Sequence, residues 1–247
     1  MAAEKYKSQI RKEALQRRDA IPADVRAFFS ERIAQRLTAT RFYAEAEMIL
    51  IYLSYKSEVE TTAIVRAALR DGKKVYAPRV VQDGENADAS VCEGREVNAP
   101  QRTESRGRCG GVAETTGSSG LRPRLSGRME FYRIVAEDEL SALPRSPLGI
   151  AEPAADAARL FSPEKWERTA QGPDACLVVM PGTAFDEARG RIGYAGGFYD
   201  RYLRRFAKRR TAALAFEAQL TARVPVEAHD VRPDCIVTEE RVLGEMT

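Results

Sequence analysis

Residues 174–205 read DACLVVMPGTAFDEARGRIGYAGGFYDRYLRR, and this stretch decides the fold class. Its apolar run at 175–180 is typical of a buried strand in a parallel sheet. A glycine-rich segment at 193–197 (the glycine loop) follows, and the pattern after it predicts a helix rich in arginine. Backbone N–H groups at such a turn and at a helix N-terminus can bind an anion. The order of these pieces therefore indicates a phosphate site.

The glycine loop does not match the common phosphate-binding motifs. A P-loop ends in glycine and lysine followed by serine or threonine, and this chain has no such sequence. The glycines at 193, 196 and 197 also differ from the G-x-G-x-x-G spacing of dinucleotide-binding folds. A structural turn that requires positive φ angles explains the same glycines, so both interpretations stay open at this point.

The composition indicates a globular protein with balanced charge. Of 247 residues, 44% are hydrophobic and 30% charged, and the net charge of +3 is too small to indicate a nucleic-acid protein by itself. The first 18 residues are charged throughout, so we expect no secretory signal there, and no apolar run approaches the ~20 residues of a membrane span. The four cysteines lack C-x-x-C spacing. We therefore expect a reduced, cytoplasmic protein.

The order of predicted elements gives the fold class. Strands at 48–53 and 74–77 flank a helix at 61–70, which makes one βαβ unit. The other predicted elements are helices at 4–18, after Pro22, at 163–170 and at 199–210, and strands at 129–135, 175–180, 212–216 and 235–238. Because strands alternate with helices, we predict an α/β three-layer sandwich with a mostly parallel sheet flanked by helices.

Residues 82–128 differ from the rest of the chain. Eight of its 17 glycines lie there, and no aromatic residue occurs between Tyr76 and Phe131. Such a composition buries too little apolar surface to offset its ordering entropy. We predict a disordered insertion within a single α/β domain that spans residues 1–247. Its arginines could contact RNA, but a solvated linker is the interpretation that this composition favours.

Several side chains could form a site at the carboxyl ends of the strands, where such sheets bind ligands. Glu58 could bind the amide and amino edge of a heterocycle, or it could precede a helix as a cap. Lys7 and Arg11 share one helical face, which could bind phosphates or face solvent. Asp200 and Asp230 could hold Mg²⁺, although a helix-start acid and a loop acid are equally good explanations.

These motifs together resemble the 5-formyltetrahydrofolate cyclo-ligase family, over nearly everything except 82–128. The matching pieces are K-x-x-I-R at 7–11, ILIYLSYKSEVET at 49–61, GKKVYAPRV at 72–80, LGIAEP at 148–153, the run at 174–203 and AFEAQLTARVPVEAHDVRPDCIVTE at 215–239. The resemblance implies an enzyme that uses ATP and Mg²⁺ to convert 5-formyltetrahydrofolate to 5,10-methenyltetrahydrofolate, releasing ADP and phosphate. Small molecules, rather than membranes or nucleic acids, are then the expected partners.

The resemblance also implies roles for individual residues. Arg191 and Tyr199 would be catalytic, and Asp200 and Asp230 would ligate Mg²⁺. The implied ATP-binding residues are Lys7, Arg11, Arg191, Ile192, Gly193, Tyr194, Ala195, Gly196, Gly197, Phe198 and Tyr199. The implied folate-binding residues are Leu53, Glu58, Tyr194, Ala195, Gly196, Gly197 and Phe198.

Two features depart from the family pattern. The family loop reads R-L-G-x-G-x-G-Y-Y-D, and here Ala195 replaces a glycine and Phe198 a tyrosine. A Cβ at 195 could hinder the approach of the backbone to a ligand. The second feature is the insertion at 82–128. The sequence therefore leaves room for a non-catalytic folate or nucleotide binder, for an RNA-associated protein using the arginine-rich insertion, and, by fold analogy alone, for a sugar-phosphate isomerase.

Overall fold

The computed structural model describes residues 2–82, 127–146, 149–194 and 196–244. Ala195 and residues 83–126 of the predicted insertion lie outside the described residues. The helices are α1 (Ala2–Asp19), α2 (Ala23–Thr38), α3 (Arg41–Glu45), α4 (Thr62–Arg70), α5 (Glu139–Ala142), α6 (Pro163–Glu167) and α7 (Phe198–Leu203). The strands are β1 (Met48–Ile51), β2 (Lys74–Val81), β3 (Arg128–Ile134), β4 (Cys176–Met180), β5 (Ala184–Phe185), β6 (Arg191–Ile192), β7 (Arg210–Leu214), β8 (Cys235–Val237) and β9 (Val242–Leu243).

A seven-stranded sheet forms the centre of the protein, in the order β3-β2-β1-β4-β7-β8-β9. The central strands β2, β1, β4, β7 and β8 run parallel, whereas β3 and β9 pair antiparallel at the two edges. Strands β5 and β6 form a separate antiparallel pair. The predicted α/β class with a mostly parallel sheet, and the βαβ unit of β1, α4 and β2, are therefore confirmed.

The chain order places a topological switch point beside β1. From β1 the chain moves to β2 and β3 on one side, and it then returns to β4 on the other side of β1. Strands β1 and β4 are parallel and in register from Met48 opposite Cys176 to Ile51 opposite Val179. Their carboxyl ends therefore meet, and the segments that follow them diverge around a crevice where sheets of this kind bind ligands.

The core lies on both faces of the sheet. Ile49, Leu50 and Ile51 of β1 are fully buried, as expected for a strand that is covered on both sides. In β8, Cys235 and Val237 join the largest hydrophobic cluster, whereas Ile236 between them joins another cluster on the opposite face. A fully buried isoleucine or valine side chain of this kind stabilises the fold by about 1.5–3 kcal/mol relative to an exposed one. No helix among the described residues is long and apolar enough to cross a membrane.

One helix prediction was wrong at its C-terminal end. Helix α7 ends at Leu203 rather than at residue 210. Phe206 turns into an aromatic cluster that contains Phe161 and Tyr202, and the carbonyl of Lys208 accepts a hydrogen bond from Trp166 Nε1 at 2.7 Å. The side chain of Phe206 and the carbonyl of Lys208 therefore make tertiary contacts in place of the contacts of a longer helix. That residues 1–247 form a single domain stays a prediction.

Candidate functional site

Helix α1 carries positive charge on the side that faces the protein. Ile10 and Ala14 are buried against Ala184 of β5 and Ile192 of β6. Because residues three, four and seven apart share one face of a helix, this packing turns the basic residues of the same face inward. These residues are Lys7, which is 8% exposed, Arg11, which is half-buried, and Arg18, which is 4% exposed.

Two of these basic residues contact the predicted site directly. Lys7 Nζ lies 2.8 Å from Asp230 Oδ2 and 3.4 Å from Glu227 Oε2, in the loop at 227–231 (the late loop). Arg11 Nε donates a hydrogen bond of 3.0 Å to the carbonyl oxygen of Gly193. Helix α1 is therefore fixed to both the late loop and the start of the glycine loop.

The glycine loop connects β6 to α7 and has a conformation that only some residues can adopt. Gly197 precedes α7 with a φ of +60°, in the left-handed region where a side chain is strained. A Cβ at Gly196 would lie 2.7 Å from the ring of Phe198. Arg201 Nη1 donates to the carbonyl of Gly196 at 2.6 Å. Helix α7 has only six residues, so side chains rather than its dipole supply the positive charge here.

Arg191 of β6 is a buried cation beside this loop, at 7% exposure. Its Nη2 lies 2.6 Å from Asp200 Oδ1, and its Nη1 donates to the carbonyl of Pro181 at 3.2 Å. Its Nε has no hydrogen-bond partner within the described part of the chain. A buried donor without a partner is costly in the free protein.

The two predicted metal ligands lie on adjoining segments. Asp200 Oδ1 accepts a hydrogen bond of 3.0 Å from the backbone N–H of Val231, the residue that follows Asp230. Within the ranges that the structure describes, the side chains close enough to share a cation are Glu227, His229 and Asp230, whose ligand atoms lie within 4.8 Å of one another. Asp200 is outside that group and forms an ion pair with Arg191 instead.

The carboxylate of Asp230 is held in its charged form. Burial raises its pKa, but hydrogen bonds from Lys7 and from the backbone of Glu227, with the charge of Lys7, lower it to a net value below 3.8. Burial correspondingly lowers the pKa of Lys7, and the bonds to Asp230 and Glu227 reverse this to a net increase above 10.5. Carboxylate oxygens are the ligands that Mg²⁺ prefers, so Glu227 and Asp230 offer suitable ligands for a hard divalent cation, whereas Asp200 lies outside that group in this structure.

The loop after β1 holds Glu58 by hydrogen bonds within the loop. Tyr52 Oη donates to the carbonyl of Val59 at 3.0 Å, and Thr61 Oγ1 donates to the carbonyl of Tyr52 at 2.8 Å, which closes the loop. Glu58 Oε2 accepts from the backbone N–H of Tyr55 at 3.0 Å. Burial raises the pKa of Glu58, in part opposed by this bond and others.

Leu53 and Tyr199 line the same region. Leu53 is partly buried and packs against the main hydrophobic cluster. Tyr199 is 9% exposed, and its hydroxyl has no hydrogen-bond partner among the described residues. Burial raises its pKa far above 10, with a further increase from the charge of Glu58. At neutral pH the hydroxyl therefore stays protonated and can donate a hydrogen bond, which excludes a role as a base.

The structure thus brings together the predicted residues of α1, the loop after β1, the glycine loop and the late loop. Arg18 is a site residue that the sequence analysis missed. Its Nη1 donates to Tyr194 Oη at 2.6 Å, and the hydroxyl of Tyr194 in turn lies within hydrogen-bonding reach of Glu58. Arg18 follows Lys7 by 11 residues and Arg11 by seven, so helical spacing could have identified it.

Comparisons with known proteins agree with this fold. A chain called 5-formyltetrahydrofolate cyclo-ligase from Mus musculus is 25% identical over 95% of this chain and 94% of its own length. The NMR structure of 5,10-methenyltetrahydrofolate synthetase from Aquifex aeolicus matches 96% of this chain and 91% of that one, with 23% identity and a TM-score of 0.63. A synthetase structure of that name from Mycoplasma pneumoniae matches with 16% identity and a TM-score of 0.58, over 94% and 98%.

At such identities the solved structures support the fold alone, and membership of a family requires the sequence pattern itself. The model of the 5-formyltetrahydrofolate cyclo-ligase family matches residues 3–239, which is almost the whole chain. It includes α1, the glycine loop and the late loop, which together form the candidate site. The chain therefore belongs to the 5-formyltetrahydrofolate cyclo-ligase family of enzymes.

Proposed function

We propose that this protein uses ATP and Mg²⁺ to cyclise 5-formyltetrahydrofolate to 5,10-methenyltetrahydrofolate, with release of ADP and phosphate. One observation carries the proposal beyond family membership. Buried cations, Lys7 and Arg191, lie in contact with the carboxylates of Asp230 and Asp200, and the loop after β1, which carries Glu58, is joined to α1 by the hydrogen bond of Ser57 to Asp19. This arrangement suits a nucleotide triphosphate beside a heterocycle that carries N–H donors.

The proposed reaction requires activation of a formamide. The formyl oxygen attacks the γ-phosphorus of ATP, the bond from that phosphorus to the bridging oxygen breaks, and ADP leaves. N10 of the same folate then attacks the formyl carbon and loses its proton. The C–O bond breaks, phosphate departs with the former formyl oxygen, and the five-membered ring is closed as the methenyl cation. Atoms and charge balance without any oxidant or reductant.

Phosphoryl transfer of this kind depends mainly on positioning and charge neutralisation. We assign Lys7 and Arg11 to the phosphates of ATP, and Arg191 to the transferred group, where its unpartnered Nε can donate. We assign Asp200 and Asp230 to Mg²⁺, which when bound neutralises phosphate charge. Ile192, Gly193 and Gly196 to Phe198 would supply the surface beneath the nucleotide, with Ala195 between them.

The folate end is assigned to the loop after β1. In its ionised form Glu58 can accept two N–H donors from the amide and amino edge of a pterin. Leu53 offers an apolar contact to the ring, and Tyr199 a protonated hydroxyl. Tyr194 is 45% exposed, and we assign it to contacts with either substrate.

The arginines after the glycine loop make contacts within the fold. Arg205 Nη1 lies 3.0 Å from both carboxylate oxygens of Glu130, and its Nη2 lies 3.1 Å from Glu164. Arg201 and Arg204 donate to the backbone carbonyls of Gly196 and Asp200. These contacts tie the three arginines to neighbouring parts of the fold, while the three residues stay exposed.

The proposal is tested by following the absorbance of methenyltetrahydrofolate after purified protein is mixed with 5-formyltetrahydrofolate, Mg²⁺ and ATP. We expect product only when both ATP and Mg²⁺ are present. Folded protein that binds both substrates and forms no product would overturn the proposal in favour of a non-catalytic binder. Ala195→Gly would then be the first reversion to examine.

A further inference from the structure

We propose that Arg18 is a positioning residue for folate: through Tyr194, it holds Glu58 in the orientation that receives the pterin. This inference rests on the proposed function, which assigns Glu58 to the folate. Arg18 contacts neither proposed substrate in this account and acts through its neighbours. The three residues come from α1, the glycine loop and the loop after β1, so their contacts join three separate segments of the site.

The geometry of the contacts gives each group a defined direction. Arg18 has donors only, so its Nη1 donates to Tyr194 Oη at 2.6 Å. The tyrosine hydroxyl then keeps its own proton, and the carboxylate of Glu58 lies within hydrogen-bonding reach of it. The carboxylate accepts a hydrogen bond from the backbone of Tyr55 at 3.0 Å. One donor therefore fixes the carboxylate directly, and a second, the hydroxyl of Tyr194, is held beside it by Arg18.

Arg18 and its neighbour Asp19 make further contacts besides the hydrogen bond from Arg18 to Tyr194. Arg18 is 4% exposed, and its neighbour Asp19 accepts a hydrogen bond from Ser57, the residue before Glu58. The guanidinium also lies over the ring of Tyr194, 5.8 Å from its centroid. The C-terminal end of α1 thus holds both sides of the crevice, at a point where Tyr194 is still 45% exposed and accessible to a ligand.

Arg18 also provides the positive charge that Glu58 faces. The titratable and charged groups around this carboxylate are Arg18 from α1, Tyr52 after β1, Tyr194 from the glycine loop and Tyr199 from α7. Burial raises the pKa of Glu58, and the hydrogen bonds from Tyr194 and Tyr55 and the charge of Arg18 act in the opposite direction. Without Arg18, the ionised form that binds N–H donors would be less favoured.

The test compares Arg18→Met with Arg18→Lys, and uses Lys12→Met, an exposed change on the same helix, as the control. We expect R18M to raise KM for 5-formyltetrahydrofolate about tenfold and to leave KM for ATP nearly unchanged. The acidic limb of kcat/KM for folate should move to higher pH. R18K, which keeps a charged donor, should restore most of the affinity, and K12M should behave as wild type.

Tyr194→Phe provides a second variant that keeps the ring and removes the hydroxyl. If Arg18 acts through that hydroxyl, Y194F should raise the folate KM as R18M does, and the double variant should be no worse than either single one. Equal increases in the KM values for both substrates, or a normal folate KM in Y194F, would overturn the proposal and leave Arg18 with a purely structural role.

A measurement without turnover separates this inference from the proposed function. Arg18→Met and Glu58→Gln are combined, and the urea midpoints of the single and double variants are compared with wild type. We expect R18M to destabilise the protein less when Glu58 has already been replaced by the neutral glutamine. Additive effects of the two substitutions on stability would refute the proposed coupling between Arg18 and Glu58. Absence of wild-type turnover would refute the proposed function instead, while this coupling would still decide whether Arg18 holds Glu58.

Discussion

Replacing Lys7 with methionine tests whether α1 supplies charge to ATP. Lys7 is 8% exposed, and its ammonium lies 2.8 Å from Asp230 and 3.4 Å from Glu227. Methionine keeps much of the side-chain length and removes the charge. Because a hydrogen bond to a charged group contributes about 1.5–3 kcal/mol, we expect kcat/KM for ATP to fall about 10- to 150-fold. KM for 5-formyltetrahydrofolate should stay close to the wild-type value.

The same substitution should change how stability depends on pH. The pKa of Asp230 is lowered from 3.8, so its contribution is present above about pH 4 and is lost as pH falls through the folded-state pKa. The pKa of Lys7 is raised from 10.5, so its contribution is complete below that value and is lost as pH rises through the folded-state pKa. Urea unfolding of the variant should show a weaker dependence at both extremes.

Lys5→Met is the matched control, because Lys5 is exposed on the same helix. It removes an equal charge from the protein, so it corrects for any general effect on the attraction of an anionic substrate. We expect K5M to leave the ATP kinetics and the pH profile unchanged. A folded K7M variant with a wild-type KM and kcat for ATP would show that Lys7 does not supply charge to ATP. A K5M variant impaired to the same extent as K7M would show the same.

Three further predictions concern the other parts of the site. Glu58→Gln should raise KM for the folate about tenfold and leave KM for ATP unchanged. Glu60→Gln, at an exposed neighbour, should change neither KM value. Steady-state kinetics with each substrate varied in turn measures both constants. Asp200→Asn should increase the Mg²⁺ concentration needed for half-maximal turnover while circular dichroism stays unchanged, and an unaltered Mg²⁺ titration would remove the metal assignment. Gly197→Ala should lower the free energy of unfolding in urea by about 1–2 kcal/mol, because φ is +60° there. Gly172→Ala, at a φ of −78° in open space, should leave that free energy nearly unchanged. Equal effects of the two substitutions would contradict the explanation by backbone strain.

The elements that sequence predicted well are those whose signal is local. The apolar runs that became β1 and β4 and the helical spacing of α1 and α4 each depend on residues within one element. The spacing of Lys7 and Arg11 likewise placed both on one face, and that face is the one turned inward. Glycine punctuation at 72 also marked the end of α4 correctly.

The elements that sequence missed depend on contacts distant in the chain. Helix α7 ends early because Phe206 and the carbonyl of Lys208 find partners in residues 161–167. The short pair β5 and β6 contains two residues in each strand, too few to show a period. Such features are decided by tertiary packing, which overrides local propensity.

The residues of the candidate site also divide into those that the local sequence identified and those that it missed. Glu58 and Asp200 were identified as candidates because they stand beside predicted strand ends and helix starts. Arg18 was missed although its helical spacing from Lys7 and Arg11 places it on the same face, because its partner Tyr194 lies 176 positions away and the contact itself has no local signal. The ion pair of Arg191 with Asp200 joins β6 to α7 across only nine positions, but no motif in that stretch indicates it.

We propose that this crevice transfers the γ-phosphoryl group of ATP to the formyl oxygen of the folate. Turnover of 5-formyltetrahydrofolate labelled with oxygen-18 in the formyl group, followed by mass spectrometry of the released phosphate, follows this transfer. We expect each methenyltetrahydrofolate formed to be matched by one phosphate that carries the label. Product formed without ATP, or label found in water and not in phosphate, would show that the formyl oxygen is not phosphorylated.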